Sequence, residues 1–502
     1  MTTVISYQSS VNSFNLITTL NMNLSLFLVY STWVAVAIAI IPNLAGSAGA
    51  TTPPKPQQSP SVKGANSVPI PNYLIPNPNP LQFPTKPEEV RIQGIVPISL
   101  AQALELAKRN NRDLQVALLE LERSQSALRE SQAVLLPTFG INGSLTNSGD
   151  GVLERNSDNQ SSTTSFSGQA QLNYDIYTSG RRQASIRAAE EQVRVDEFDV
   201  ETRSLEITLN VATQYYNLQQ ADELVRINRS AVENSQASLR DAQAREQAGV
   251  GTRFDVLQSQ VDLANAQQDL TNAVSQQQIA RRQLATLLSL PQSVDVSAAD
   301  PVQLAGLWQP TLEQTIVQAF QNRPELQQFL AQRNISEQQR RQALSQLGPQ
   351  ISLASSYNLQ DQYNDGLSVA DGYSLGVQAN LTLYDGGAAK ASADQSKANI
   401  AIAETQFASQ RDQIRFDVEQ YYSQLQSNLE NVQTSSVALN QAREALTLAR
   451  LRFQAGVGTQ TDVIAAQNDL TRAEGNRVTA ILDYNRALAN LQRSVTSRTA
   501  NR

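Results

Sequence analysis

The 502-residue chain has no cysteine and no histidine. That removes disulfides, thiol nucleophiles, imidazole bases and the ordinary zinc and haem ligands together. Aromatic residues are only 6% of the chain, too few for a thick globular core. Gln, Ala, Ser and Asn are plentiful instead, which suits long, closely packed helices. The formal charge is -7 and no basic block occurs, so no nucleic-acid partner is expected. Apolar residues make up 40% and the mean hydropathy is -0.34, values that exclude a bundle of many membrane-spanning helices.

Lys and Arg are missing from the first 50 residues. Leu24 to Ile41 is an apolar run, and the small residues Ala48-Gly49-Ala50 follow it. Residues 1–50 therefore read as a secretory signal cleaved after Ala50, or as an uncleaved anchor, since the run is long enough for one membrane helix. Residues 51–97 read as a Pro-rich linker without a core of its own, because most of the chain's prolines lie between Thr51 and Pro87.

Glycine and proline are absent from two much longer stretches. Arg181 to Ala248 and Ala388 to Ala455 contain neither, and each runs into the letters QAGVGT (Gln247 to Thr252; Gln454 to Thr459). As α-helices these stretches are rods of roughly 100 Å. The rest of the chain repeats around them. Tyr215-Tyr216 returns as Tyr421-Tyr422, Pro137 as Pro349, and Asn110-Asn111-Arg112-Asp113-Leu114 as Asn322-Arg323-Pro324-Glu325-Leu326. Residues 98–291 and 311–496 are thus two copies of one unit, with 292–310 a linker between them and 497–502 a tail.

Each unit opens with a capping-box pattern (Ser99 with Gln102; Thr311 with Gln314). The first helix runs from Leu100 to about Leu136 with a break at Asn110-Asn111. Two strands then follow in each unit. Phe139, Ile141, Gly143 and Leu145 alternate with polar or small residues, as do Phe166 to Ile176, Ile351 to Leu359, and Tyr373 to Leu383. Asn147 to Thr164 is polar and reads as a loop. About ten residues is the length that crosses a bilayer when tilted. Four strands cannot close a barrel alone and open edges do not survive in lipid, so closure by several copies is expected, three giving twelve strands. After each QAGVGT a shorter helix returns (Thr252 to about Leu290; Thr459 to about Val495). The returning helix and the helix Asn111 to Leu136, stacked end to end, nearly match one rod. Leu205, Leu209, Ala212 and Tyr216 step by four and three, a coiled-coil seam. The expected fold is mainly α with a membrane β-barrel part: a helical tunnel continuing a barrel.

At the tips, Gly249 and Gly456 fit the left-handed residue that ends a helix. Thr252 and Thr459 fit the next N-cap, with Asp255 and Asp462 as box partners. Val250, Gly251, Val457 and Gly458 complete the two turns. Tyr177 and Gly180, and Tyr384 with Gly386 and Gly387, mark the turns from strand to rod. The tyrosine pairs at mid-rod read as packing, and Asn173, Asp175, Gln378 and Asn380 as the polar face of the strands. No constellation of catalytic residues or metal ligands stands out, so neither an enzyme nor a cofactor is expected.

The double repeat, Asn322-Arg323-Pro324-Glu325-Leu326, Leu383-Tyr384-Asp385-Gly386-Gly387 after a strand, and tips followed by Asp255-Val256 and Asp462-Val463 resemble the TolC family of outer-membrane efflux channels over about Ile98 to Thr496. The resemblance implies a homotrimer with one twelve-stranded barrel in outer-membrane lipid and an α-helical tunnel across the periplasm. It also implies docking to a periplasmic adaptor and an inner-membrane pump or ABC exporter, for efflux or type I secretion. On that reading the tips ring the periplasmic mouth, Asp255 and Asp462 are candidates for an acidic gate, and Arg253 and Arg245 for ion pairs tying neighbouring tips. Gln258 and Ala465 stand where a second acidic ring would be. The rival reading is a trimeric coiled-coil envelope tether or adhesin that uses the rods as spacers.

Overall fold

The computed structural model describes residues 83–149, 162–363 and 368–496, together with Leu74 and Leu81. The signal or anchor of residues 1–50, most of the Pro-rich segment, residues 150–161 and the tail lie outside the described residues; both described ends of the expected Asn147–Thr164 loop are strand, since Asn147 pairs with Thr164 and Gly149 with Ser162. Each unit has the same order. The first comprises β1 (Gly94–Ile98), α1 (Leu100–Asn110), α2 (Arg112–Ala133), β2 (Thr138–Gly149), β3 (Ser162–Tyr177), α3 (Arg181–Gln247) and α4 (Arg253–Leu287). The second comprises β4 (Val294–Ala298), α5 (Leu312–Asn322), α6 (Pro324–Leu344), β5 (Gln350–Tyr363), β6 (Ala370–Asn380), α7 (Ala388–Gln454) and α8 (Gln460–Val495). No described helix is long and apolar enough to cross a membrane.

The rods α3 and α7 have 67 residues each. They are helical because nothing in them interrupts the backbone ladder, and they end where glycine first allows a left-handed turn. The break between α1 and α2 falls at Asn111, whose side chain caps α2 by accepting from Asp113 N and Leu114 N. The same side chain donates from Nδ2 to Leu287 O at the end of α4. That bond joins α2 and α4 end to end alongside α3. Asn322 Nδ2 does the equivalent to Val495 O at the end of α8.

The four long strands form one antiparallel sheet in the order β2-β3-β5-β6. Directly paired residues share a face, so the register separates the two faces. Ile141 pairs with Ala170, Ala170 with Tyr357, and Tyr357 with Tyr373. That face is apolar, and Phe139, Ile141, Leu145, Tyr373, Leu375 and Val377 on it are two-thirds or more exposed. The other face carries Ser144 bonded to Ser167 at 2.8 Å, Ser356 to Ser374 at 2.9 Å and Gln171 to Asn173 at 3.0 Å. Strand β6 stops at Asn380, short of the expected Leu383, because β5 begins at Gln350 and offers it no partner beyond that point.

The segments expected to be plain linkers are not plain. Residues 94–98 and 294–298 pair as parallel strands β1 and β4, and Leu74, within the Pro-rich stretch, is buried in the same core. Tyr215, fully buried halfway along α3, anchors this waist. Its hydroxyl donates to Asp300 Oδ2 at 2.8 Å, while Asp300 Oδ2 also accepts from Leu100 N at 2.7 Å. Tyr216 packs edge-on against Tyr215 with ring centroids 6.3 Å apart. Tyr484 serves the second unit, donating to Gly306 O at 2.7 Å.

Candidate functional site

Both tips are Schellman turns followed by capping boxes. Gly249 (φ 75°) and Gly456 (φ 76°) hold the left-handed position. Val250 N and Gly251 N both donate to Arg245 O at 3.0 Å, and Gly249 N to Glu246 O at 3.0 Å. Val457 N, Gly458 N and Gly456 N repeat this toward Arg452 O and Phe453 O. The second glycine is required for a different reason. A Cβ on Gly251 would lie 2.9 Å from Arg245 Cβ and 3.0 Å from backbone, and one on Gly458 would lie 3.0 Å from Phe453 N. Val250 and Val457 between them are largely exposed.

The next helix starts at once. Thr252 Oγ1 accepts from Asp255 N at 3.2 Å and Asp255 Oδ2 accepts from Thr252 N at 3.1 Å. Thr459 and Asp462 do the same at 3.1 and 2.9 Å. These bonds, first from the Thr459 backbone, then from its side chain, and the charge of Arg452, hold the Asp462 carboxyl below its usual range. Both aspartates therefore serve as helix caps.

Within one chain the two arginines take different partners. Arg253 pairs within its own tip, Nη1 lying 3.7 Å from Glu246 Oε2. Arg245 crosses to the other tip of the same chain, where it donates from Nη2 to Phe453 O at 3.1 Å and stacks 4.1 Å over the Phe453 ring. Its partner is a carbonyl and a π-face, not a carboxylate. Above it the hairpins α3/α4 and α7/α8 are stitched by buried neutral bonds. Gln460 Nε2 donates to Ser259 Oγ at 3.1 Å and Gln467 Nε2 to Ser238 Oγ at 3.1 Å. A polar cleft of about 550 Å³ lies beside these contacts, lined by Asn234, Asp241, Arg245, Arg450 and Gln467 among others. Sequence reasoning missed Phe453, Gln460 and Ser259, since only the packing of one repeat on the other brings them together.

At the opposite end of the rods, Gly180 (φ 87°) and Gly387 (φ 91°) are the N-caps of α3 and α7, and Gly386 (φ 73°) precedes the second. Tyr177 follows a bulge in β3 and pairs with Ile351, while Tyr384 is exposed. The Asp385 carboxylate accepts from Gly387 N and Ala389 N at 2.8 and 2.6 Å. Arg182, which the sequence did not single out, is buried here and donates to Val134 O and Ile176 O at 3.3 and 3.2 Å. It ties helix α2, strand β3 and rod α3 into one junction.

A membrane-length sheet with an apolar face, continued by paired helical hairpins with matched tips, defines the class of an outer-membrane duct. The profile of the outer membrane efflux protein family matches residues 103–289 and 315–496. The pyoverdine export outer membrane protein OpmQ of Pseudomonas aeruginosa is 26% identical over 79% of this chain and 83% of its own. The alkaline protease secretion protein AprF of the same organism is 23% identical over 79% and 84%. The open-state MtrE outer membrane channel of Neisseria gonorrhoeae superposes with a TM-score of 0.66 at 19% identity, over 85% of this chain and 98% of that one. The chain belongs to the outer membrane efflux protein family, the TolC-type channels. It is an outer-membrane export duct with its helical part in the periplasm.

Proposed function

We propose that three copies close into a channel-tunnel, opened at the tips by a periplasmic adaptor acting with an inner-membrane pump or ABC exporter. The observation that carries this reading is the sheet itself: among the described residues β2 and β6 are unpaired at their outer edges, while the apolar face is exposed. Backbone polar groups left open in lipid cost several kcal/mol each, so β6 of one copy must meet β2 of the next. Two copies would give eight strands, a barrel filled by its own side chains, whereas three leave a lumen. The apolar face then meets outer-membrane lipid and the serine and glutamine face meets water. The duct itself performs no chemistry; opening is driven from outside.

The duplication suggests a register for the missing contact. Within one copy β3 pairs with β5, Ala170 opposite Tyr357. The Tyr177–Tyr384 and Pro137–Pro349 equivalences carry that pair to Val377 and Leu145. Val377 of one copy therefore faces Leu145 of the next, and α4 packs on the neighbour's α7 as α8 packs on α3 here. Purified protein in a planar bilayer is expected to conduct, and a Val377→Cys/Leu145→Cys variant to cross-link into covalent trimers. An assembled trimer that is cross-linked but does not conduct would leave the tether reading standing.

A further inference from the structure

Where the sheet meets the rods, the two units come into very close contact. The turn from β3 into α3 lies against the turn that leads from α6 into β5. Ser179 Oγ donates to Pro349 O at 2.7 Å, and a Cβ on Gly348 would overlap Ser179 Oγ and Cβ. The joint closes because Gly348 has no side chain. Ser179 itself holds a left-handed backbone (φ 50°), so this turn position does not demand glycine.

The Tyr177–Tyr384 and Pro137–Pro349 equivalences carry Ser179 to Gly386 and Gly348 to Leu136. The glycine has changed sides. Gly386 stands in the place of Ser179, and a Cβ there would meet nothing within 4 Å among the described residues. Leu136 stands in the place of Gly348 and is two-thirds exposed. A second observation points to the same spot. Residues 381–384 continue the alternation of β6, yet they lie beyond its last pair, Gln350 with Asn380. Within one copy Tyr177 pairs with Ile351, and the same equivalences carry that pair to Tyr384 and Phe139. Both of these rings are exposed, as are Leu381 and Leu383.

We propose that, at the collar between sheet and rods, Leu136 of one copy seats on the bare backbone of Gly386 in its neighbour. The neighbour's residues 381–384 then extend β6 along the base of the first copy's β2. The proposal rests on the ring of copies argued above, and it names the partner of this surface as a second copy of the chain. Each joint around the collar has one glycine opposite one side chain. Within a copy the glycine is on the α6–β5 turn and faces Ser179; between copies it is on the β6–α7 turn and faces Leu136. Seating covers an exposed leucine and supplies hydrogen-bond partners to the backbone of residues 381–384. Neither Leu136 nor Gly386 carries charge, so salt should not loosen this contact.

The chain has no native cysteine, so introduced pairs report alone. Leu136→Cys/Gly386→Cys protein, oxidised in detergent, should give covalent dimers and trimers on a denaturing gel. Val377→Cys/Leu145→Cys reports the ring independently of the collar. Ladders from both pairs support the seating. A ladder from the strand pair alone overturns the seating and keeps the ring, while no ladder from either overturns both. Substitution without cysteine separates shape from backbone strain. Gly386→Ser should lose most of its trimer on a native gel, because the serine side chain meets Leu136. Adding Leu136→Gly recreates the Ser179–Gly348 pair between copies and should bring the trimer back. Strain at the left-handed Gly386 would not be relieved by a change in the neighbouring copy. A trimer indifferent to Gly386→Ser, or one lost and not recovered by Leu136→Gly, would therefore overturn the proposal.

Discussion

Arg245 lays its guanidinium 4.1 Å above the ring of Phe453 and donates to that residue's own carbonyl oxygen at 3.1 Å. One side chain thereby fixes the end of α3 to the end of α7, using a partner that neither titrates nor carries charge. Replacing Phe453 with Ala removes the ring and keeps the carbonyl. A cation–π contact at such a site contributes about 1 kcal/mol, so tip amides should exchange with solvent about fivefold faster in Phe453→Ala. Exchange measured across Arg450 to Gly458 checks this. An unchanged rate would mean that the carbonyl bond and the Gln460–Ser259 contact hold the joint alone.

The two glycines of each tip should respond differently to alanine. At Gly249 the backbone is left-handed (φ 75°) with open space around it, so Gly249→Ala costs about 1 kcal/mol of local conformational energy. At Gly251 a methyl meets Arg245 Cβ at 2.9 Å and rigid backbone at 3.0 Å, and the turn must open to admit it. Gly251→Ala should therefore expose the tip to protease far more than Gly249→Ala. Equal cleavage rates would show that the Schellman turn can shift to accommodate the methyl.

Much of this was legible in the sequence, because long helices and duplications leave long-range marks. A stretch without Gly or Pro running into QAGVGT states both the rod and its end, and the tip glycines, capping threonines and aspartates fell where expected. The alternation of the strands likewise stated the two faces of the sheet. The waist was not legible. Strands β1 and β4 have five residues each, one contains Pro97, and they pair across 200 positions, so no local period announces them. The partner of Arg245 was hidden for a similar reason: it lies 208 positions away, in the other repeat. Nothing in the sequence tells Arg182 from Arg181 beside it, and only the junction of α2, β3 and α3 buries it.

The waist makes a prediction about alkaline stability. Tyr215 is fully buried beside the Asp300 carboxylate, and burial first, then the bond to that carboxylate and its charge, push its hydroxyl well above the ordinary tyrosine range. A group whose folded pKa is raised adds stability in full below the unfolded value, near pH 10, and loses it as pH rises further. Thermal stability should therefore fall from about pH 10 upward, and less steeply in Tyr215→Phe. At neutral pH that variant leaves Asp300 short of a donor and should be destabilised by about 1–3 kcal/mol. Identical slopes in the two proteins would assign the alkaline loss to Tyr216, Tyr421 or Tyr484, which burial also raises.

The tip aspartates separate capping from charge when they are changed in two ways. Asparagine at Asp255 and Asp462 keeps an oxygen to accept from Thr252 N and Thr459 N but removes the charge, whereas alanine removes both. If the carboxylates ring the mouth, cation preference should fall in both double variants, and the alanine one should also open more often as its tips loosen. Bonds from Thr459 depress the Asp462 carboxyl, so its charge persists as pH falls through the usual carboxylate range. Wild-type cation preference should accordingly survive to a lower pH than an unassisted carboxylate would allow. Ion selectivity from reversal potentials, taken from pH 7 down to 3, reads both effects. Selectivity untouched by asparagine but gating altered by alanine would reduce both aspartates to helix caps and place the constriction elsewhere in the duct.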